Sequence, residues 1–415
     1  MLEQAEVDLG RRAFRLTLAG TLVSALGQGL TLPYLFVYLH DVLGAPLPVA
    51  GVVLAVASVV GLGATTLGGP LGDRAGLGRL AWIGLLVQAA GTAVLAAAPG
   101  AGVASAGVAL NFIGNALVWP ALNGLVAVQI PAEGRSRAYA LRFGMLNAGI
   151  GVGGLLSGWI VSVREPASFH LVYGVDAATT AVFAVLILAG LRGSPGYRSA
   201  PRRAVAERGG YAVVLRDRAF VGYLAVALAF GVFGYAQLNG PWASFVTGAG
   251  GSTTQVVGFA FAANTAAIVV LQLGVERWTR PWRRSRMLVA TAVIWGIAWV
   301  ISAVAALPVL HGPVAAVAFV VSLAVFGLGE TFYSPIGGGM PNALAPEHLR
   351  ARYNALAAST WPLGGFIGPP LAGVLLGGSM PLSWVAVIAV GMAVTAVVAA
   401  VLGARLPSAV ERPAV

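Results

Sequence analysis

Apolar runs of roughly 18 to 25 residues recur along this 415-residue chain, and most of its charges lie in the short polar stretches between them. A helix rises about 1.5 Å per residue, so a run of that length crosses the ~30 Å hydrocarbon core of a bilayer. Only 9% of the residues are charged and 58% are hydrophobic, which leaves too little polar surface to cover a soluble domain. The sequence therefore predicts an all-α integral membrane protein.

The spacing of the apolar runs predicts twelve transmembrane helices. We place them at 14–38, 49–69, 80–98, 102–128, 138–162, 170–191, 218–240, 253–274, 287–307, 313–338, 353–377 and 383–404. The longest polar stretch, 192–217, divides the chain nearly in half, which predicts a cytoplasmic linker between two pseudo-symmetric six-helix bundles. The bundles would comprise 1–191 and 218–415, the second ending in a short cytoplasmic tail.

The basic residues are distributed on one side of the predicted membrane. All 25 are arginine, and 23 of them fall in the tails and loops that share a side. The two exceptions are Arg164, in an outer loop, and Arg142, inside the fifth span. Because basic loops remain in the cytoplasm, both termini are expected there. The net charge of +11 thus reflects topology, and no nucleic-acid partner is predicted.

Several function classes lack the residues that they need. The chain has no lysine and no phosphate-binding glycine loop, so it is not an ATP-driven pump. Without cysteine, and with four scattered histidines, it offers no metal spacing, and no cofactor or enzyme chemistry is predicted. Three acids among the first eleven residues argue against a cleaved signal peptide. The arginine-only, glycine-rich composition is typical of GC-rich bacteria, so we expect a bacterial plasma-membrane protein.

A glycine-rich charged turn follows the second predicted span. The segment GGPLGDRAGLGR at 68–79 resembles the loop signature of the major facilitator superfamily, although Gly78 stands where that family often has a basic residue. The resemblance implies the two-bundle fold and a conformational latch formed by Asp73, Arg74 and Arg79. Charge-assisted hydrogen bonds at a helix end are suited to such a latch. The corresponding turn of the second half, ERWTRPWRR at 276–284, lacks the glycine and aspartate part.

Three further segments resemble the twelve-helix drug:proton antiporters of that superfamily. They are GQGLTLPYL at 27–35, YALR at 139–142 with the glycine-rich stretch to Gly154, and the Gly329-Glu330 pair ahead of Pro335. The glycine-rich stretch has Gly153-Gly154 where the family usually has Gly-Pro. The resemblance covers essentially the whole chain and implies proton-coupled transport by alternating access.

Two carboxyl groups are candidates for proton coupling. Glu330 lies deep in the tenth span, where insertion of a carboxylate costs roughly 2.5 to 3.5 kcal/mol and an acid is functional by default. The alternative is a permanently neutral glutamic acid that hydrogen-bonds to a neighbouring helix. Asp176 is a weaker candidate, because its place near the outer end of the sixth span is expected to leave it solvated.

Arginine, amide and aromatic side chains in the spans are candidates for substrate binding. Arg142 could bind an anionic substrate, pair with an acid, or extend to the inner interface. Packing alone would also explain most amides and aromatic rings at this depth. The predicted substrate contacts are Gln28, Asn115, Trp119, Arg142, Asn147, Tyr333 and Trp361.

The leading functional prediction is a proton-coupled exporter of hydrophobic or amphipathic small molecules. The alternative is a proton-coupled importer of a polar nutrient, such as a sugar or an organic anion. A lipid scramblase or a receptor on the same fold would show no dependence on a proton gradient. The expected partners are a small-molecule substrate, protons and membrane lipid, and the protein is expected to be monomeric.

Overall fold

The computed structural model describes residues 2–191 and 211–411, which form helices and short connections without a strand. The first six long helices are α1 (Leu2–Thr31), α2 (Leu47–Ala75), α3 (Leu77–Ala96), α4 (Ala101–Gln129), α5 (Ala132–Ile160) and α6 (Pro166–Leu191). The next six are α7 (Arg218–Phe230), α8 (Thr254–Thr279), α9 (Arg284–Ala305), α10 (Gly312–Leu344), α11 (Arg350–Leu376) and α12 (Leu382–Arg405). The predicted all-α membrane fold is confirmed.

Eleven helical segments of the described chain are long and apolar enough to cross a membrane. The predicted span at 353–377 corresponds to α11, which has 27 residues but is not among these eleven. Three prolines and several glycines inside α11 lower its hydropathy below that of its neighbours. The count of twelve spans therefore stays a prediction.

Two of the apolar segments change helix type before they end. After α1, the chain tightens into a 3₁₀ turn at Leu32–Tyr34 and widens into a π-helix at Tyr38–Val42. Pro33 accounts for the first change, because it has no amide hydrogen to continue the α-helical pattern. After α7, a π-helix at Gly231–Tyr235 leads into the short helix Ala236–Leu238. Such π segments often occur at functional sites.

The chain divides into two compact units, 1–45 with 56–205 and 46–55 with 206–415. Most of the predicted linker 192–217 lies outside the described residues, so the predicted bundle limits stay a prediction. Its described end includes Asp217, whose carboxylate accepts hydrogen bonds from the backbone of Ala219 at 3.0 Å and Phe220 at 3.1 Å. Asp217 thereby caps the N-terminus of α7.

In the first unit, α1 packs against α5 and α6, while α3 packs against α4 and α6. Glycine brings α3 and α4 close together, since a Cβ atom at Gly114 would lie 2.6 Å from the Cα of Gln88. Leucines on these two helices and Phe183 on α6 form the buried core around the contact. Small residues are the usual means of close helix packing in a membrane protein.

The second unit repeats this arrangement. Here α7 and its π segment pack against α11 and α12, while α9 packs against α10 and α12. The helices that meet are the counterparts, in chain order, of those that meet in the first unit. The core differs in composition, because it contains the fully buried indoles of Trp242, Trp295, Trp299 and Trp384. The predicted pseudo-symmetry of the two halves is thus visible in the packing of the helices.

Candidate functional site

Glu330 lies on α10 in the second unit and is partly buried. The side-chain amide of Asn264, on α8, donates a 2.8 Å hydrogen bond to its Oε2 atom. The Tyr235 hydroxyl is a second hydrogen-bond partner of the carboxyl group. Within residues 2–191 and 211–411, no arginine or histidine forms an ion pair with Glu330. The carboxyl group is therefore held by neutral groups, and a proton on Glu330 would neutralise it.

The π segment at Gly231–Tyr235 places the Tyr235 ring beside Glu330. This segment approaches α11 closely, because a Cβ atom at Gly364 would lie 2.6 Å from the carbonyl carbon of Gly231. The π-helical turn contains one residue more than an α-helical turn, and Gly231 and Gly364 lie close together. These two features set the position of Tyr235. The backbone conformation of residues 231–235 thus determines where Tyr235 lies relative to Glu330.

Aromatic rings surround Tyr235 in the second unit. The ring centroids of Trp361 and Trp295 lie 4.5 Å and 5.0 Å from that of Tyr235, and Tyr333 lies at 6.4 Å. Trp361 is 56% exposed, so one part of this aromatic wall is open. The structure therefore brings the predicted residues Tyr333 and Trp361 together around the tyrosine that contacts Glu330. Their role in substrate binding stays a prediction.

Asp176 lies on α6 of the first unit and is only 4% exposed. The expectation that this carboxyl group is solvated was wrong. The Thr31 hydroxyl, at the end of α1, donates a 2.8 Å hydrogen bond to Oδ2, and Thr180 approaches Oδ1 at 3.5 Å. The sequence position of Asp176 near the outer end of its helix does not reveal that α1 covers it.

Gln28 is connected to Asp176 through hydroxyl groups. Its side-chain amide donates to the Ser24 hydroxyl at 3.4 Å, and Ser24 lies 3.3 Å from the Thr180 hydroxyl. Gly27 allows this approach, because a Cβ atom there would lie 2.8 Å from Asp176. Gln28 itself remains inside α1, and the helix changes type only at Leu32–Tyr34. The change of helix type thus occurs one turn after Gln28.

Arg142, on α5, is 6% exposed and points towards α4. Its Nη1 atom donates a 2.5 Å hydrogen bond to Oδ1 of Asn123, and its guanidinium carbon lies 4.9 Å from the ring centroid of Trp119. These contacts show a guanidinium group held against the neighbouring helix instead of extended to the interface. The structure therefore brings together two predicted substrate contacts, Arg142 and Trp119.

Two predicted amides are placed differently. Asn115 is exposed on α4, one helical turn before Trp119. Asn147 donates to the backbone carbonyl of Phe143 at 2.9 Å, so its amide is bonded within its own helix. Among the described residues, no hydrogen bond joins either amide to Asp176.

The predicted latch lies at the turn between α2 and α3. Gly76 makes this turn with a φ of 90°, a conformation that favours glycine. Arg74 and Arg79 are exposed at the two helix ends. The side chain of Asp73 lies outside the described residues, so its participation in a latch stays a prediction.

Three residues that contact Arg142 or Glu330 were not predicted from the sequence as site residues. Asn123 and Asn264 are not among the site residues predicted from the sequence, yet they bond Arg142 and Glu330. Tyr235 is not among the predicted site residues either, yet it contacts the carboxyl group of Glu330. The sequence carries no signal for these partners, because each lies on a different helix from the charged group that it bonds.

A family model for the Major Facilitator Superfamily matches residues 17–250 and 236–414. The chain belongs to the major facilitator superfamily. The uncharacterized MFS-type transporter YqjV of Bacillus subtilis is 24% identical over 86% of this chain and 84% of its own length. The multidrug resistance protein MdtH of Yersinia pestis is 30% identical over 49% of each chain. This protein is accordingly a multi-pass membrane transporter of the family.

Solved structures show the same fold. A peptide transporter POT in complex with sulfate has a TM-score of 0.74 at 16% identity, covering 95% of this chain and 94% of its own. The nucleoside transporter NupG has a TM-score of 0.73 at 14% identity, covering 94% and 99%. At such identities the likeness concerns the fold of the family and not the substrate.

Proposed function

We propose that this transporter exports hydrophobic or amphipathic small molecules in exchange for protons, with Glu330 as the principal proton carrier. The observation that carries the proposal is a carboxyl group on α10 that is held by Asn264 and Tyr235 and bordered by aromatic rings. Aromatic faces suit an apolar substrate, and a single acidic group within such a wall suits a cationic or polar end.

The physical basis of coupling is the cost of an unpaired charge in a membrane. An ionised carboxyl group at this depth is unfavourable unless a proton or a cationic substrate neutralises it. A transporter in which proton and substrate compete for one carboxyl group exchanges them when its two halves alternate in access. Asp176, buried in the first unit, is proposed as a second proton-binding group.

The family and the charge distribution support the remaining parts of the proposal. We place the protein in the bacterial plasma membrane with both termini in the cytoplasm, because 23 of 25 arginines share one predicted side. It is proposed to act as a monomer and to have no enzyme activity. The half-length match to MdtH, which is named a multidrug resistance protein, supports a drug-like cargo.

The test is transport in proteoliposomes that hold an imposed pH gradient, with a fluorescent lipophilic cation as cargo. Wild type should accumulate the dye only with the gradient, and Glu330→Gln should lose this accumulation, because it lacks the carboxyl group for which proton and dye compete. The control is Glu347→Gln, because Glu347 is exposed between α10 and α11. Full gradient-driven accumulation by Glu330→Gln would disprove the coupling role.

A further inference from the structure

A groove runs between α4 and α5 in the first unit. It has a volume of about 170 Å³ and is lined by Trp119, Asn123, Tyr139, Arg142, Phe143 and Leu146. A cavity of about 150 Å³ accommodates one benzene ring. The groove is therefore large enough for one aromatic ring with a small polar group.

The guanidinium group of Arg142 is a buried cation without a neutralising partner. Asn123 accepts one of its hydrogen bonds, while the buried Nε atom has no hydrogen-bond partner in the structure. Arg142 forms no ion pair with an acid in the part of the chain that the structure describes. An uncompensated buried charge costs several kcal/mol in proteins, so this site gains stability from an anion.

The planar guanidinium group is well placed for a carboxylate. Asn123 fixes its orientation, and the Tyr139 hydroxyl in turn donates to the Asn123 backbone carbonyl at 3.0 Å. A guanidinium group can donate two parallel hydrogen bonds to a carboxylate, which a lysine ammonium cannot do. The structure thus holds the guanidinium group in one orientation, rather than leaving it as a mobile positive charge.

The remaining walls of the groove are aromatic. Trp119 contacts the guanidinium group and is 46% exposed, and the Phe143 ring is 49% exposed. Their open faces can pack against the apolar body of a ligand whose charged end meets Arg142. If contact with lipid were the only role of these rings, a buried cation beside them would not be expected.

We propose that the α4–α5 groove is a binding site for amphipathic organic anions, in which Arg142 binds the carboxylate and Trp119 and Phe143 pack against the apolar part. The inference rests on the proposed function only in treating these anions as cargo. Binding to the groove itself requires neither a proton gradient nor Glu330.

The experiment compares three ligands of nearly equal shape, benzoate, benzamide and benzylamine, by titration calorimetry on the full-length protein in detergent. Wild type should bind the carboxylate at least about tenfold more tightly than the neutral amide, a difference of about 1.4 kcal/mol. Arg142→Gln should bind both with equal affinity. Arg142→Lys should recover only part of the preference, because lysine retains the positive charge but cannot donate two parallel hydrogen bonds to the carboxylate.

Arg164→Gln is the matched control, since it removes an exposed arginine from the segment after α5, outside the groove lining, and it should retain the full preference. Size-exclusion profiles verify that each variant is folded, and Trp119→Leu provides a second variant that should weaken all three ligands. An undiminished carboxylate preference in Arg142→Gln would overturn the proposal, as would equal binding of benzoate and benzamide by wild type. If gradient-driven transport is absent but the Arg142-dependent preference for the carboxylate is present, the proposed function is refuted and the proposed anion site is not.

Discussion

The C-terminal end of the described chain offers a prediction whose size follows from the structure. The buried carboxylate of Glu411, in the short helix Ser408–Glu411, accepts hydrogen bonds from the hydroxyl of Ser285 and from its backbone nitrogen, the latter at 3.4 Å. Ser285 lies in the first turn of α9, so Glu411 acts as a cap supplied by a distant part of the chain. The neighbouring Arg284 adds a favourable charge.

The change Glu411→Ala removes this cap and both of its hydrogen bonds. Capping side chains contribute about 0.5 to 2 kcal/mol, and a hydrogen bond to a charged group about 1.5 to 3 kcal/mol. Since the two contributions overlap, we expect a loss of about 2 kcal/mol in the free energy of unfolding. For a unit of this size the unfolding temperature should fall by about 4 to 8 °C.

The assay is thermal unfolding in detergent, followed by tryptophan fluorescence and size exclusion. Glu411→Gln should lose about half as much stability, because the amide oxygen still accepts a hydrogen bond but the charge at the helix end is gone. Glu347→Ala, at an exposed glutamate, should change the unfolding temperature by less than about 2 °C. In a double-mutant cycle, Ser285→Ala should be coupled to Glu411→Ala. An unchanged unfolding temperature in Glu411→Ala, or additive effects in the cycle, would refute the assignment of a cap.

Three further predictions concern transport and packing. Asp176→Asn keeps a side chain that can bond Thr31, so it should retain its unfolding temperature while gradient-driven dye transport falls by at least about tenfold. Gly364→Ala should cost about 1 to 3 kcal/mol of stability and slow transport, because its Cβ atom would lie 2.6 Å from the carbonyl carbon of Gly231. Asp73→Asn should slow transport with little loss of folded protein, measured as initial rates per amount of folded protein.

Each of these predictions has an outcome that contradicts it. Wild-type coupling in Asp176→Asn would leave that carboxyl group with a structural role only. For Gly364, the matched control is Gly338→Ala, whose Cβ atom would meet no atom within 4 Å, and equal stability of the two variants would argue against the close approach. Unchanged turnover in Asp73→Asn would make it a topology or capping residue.

The sequence predicted the helices well because each span requires a long apolar run, a pattern that depends on local composition. The predicted span at 253–274, for example, begins within one residue of α8 at Thr254. The break of the seventh span at Gly231–Tyr235 was not predicted, since it depends on the approach of Gly364 from a helix more than a hundred residues away. Hydropathy contains no information on such tertiary contacts.

The residues of the candidate sites likewise divide into those that the sequence reveals and those that it does not. Glu330 could be identified from depth alone, because an acid inside an apolar span is rare and costly. Its partners Asn264 and Tyr235 could not, since two other helices supply them. The burial of Asp176 escaped prediction for a related reason, as Thr31 reaches it from α1. Single residues with unusual chemistry are visible in a sequence, whereas their neighbours in space are not.

Competition between proton and cargo at Glu330 is the central claim, and proton release on cargo binding tests it most directly. Purified protein in weakly buffered detergent solution would be mixed with tetraphenylphosphonium, and the released protons would be measured with a pH-indicator dye. We predict release that saturates with the cation in wild type and in Glu347→Gln, and almost none in Glu330→Gln. Equal release from Glu330→Gln and wild type would contradict the account.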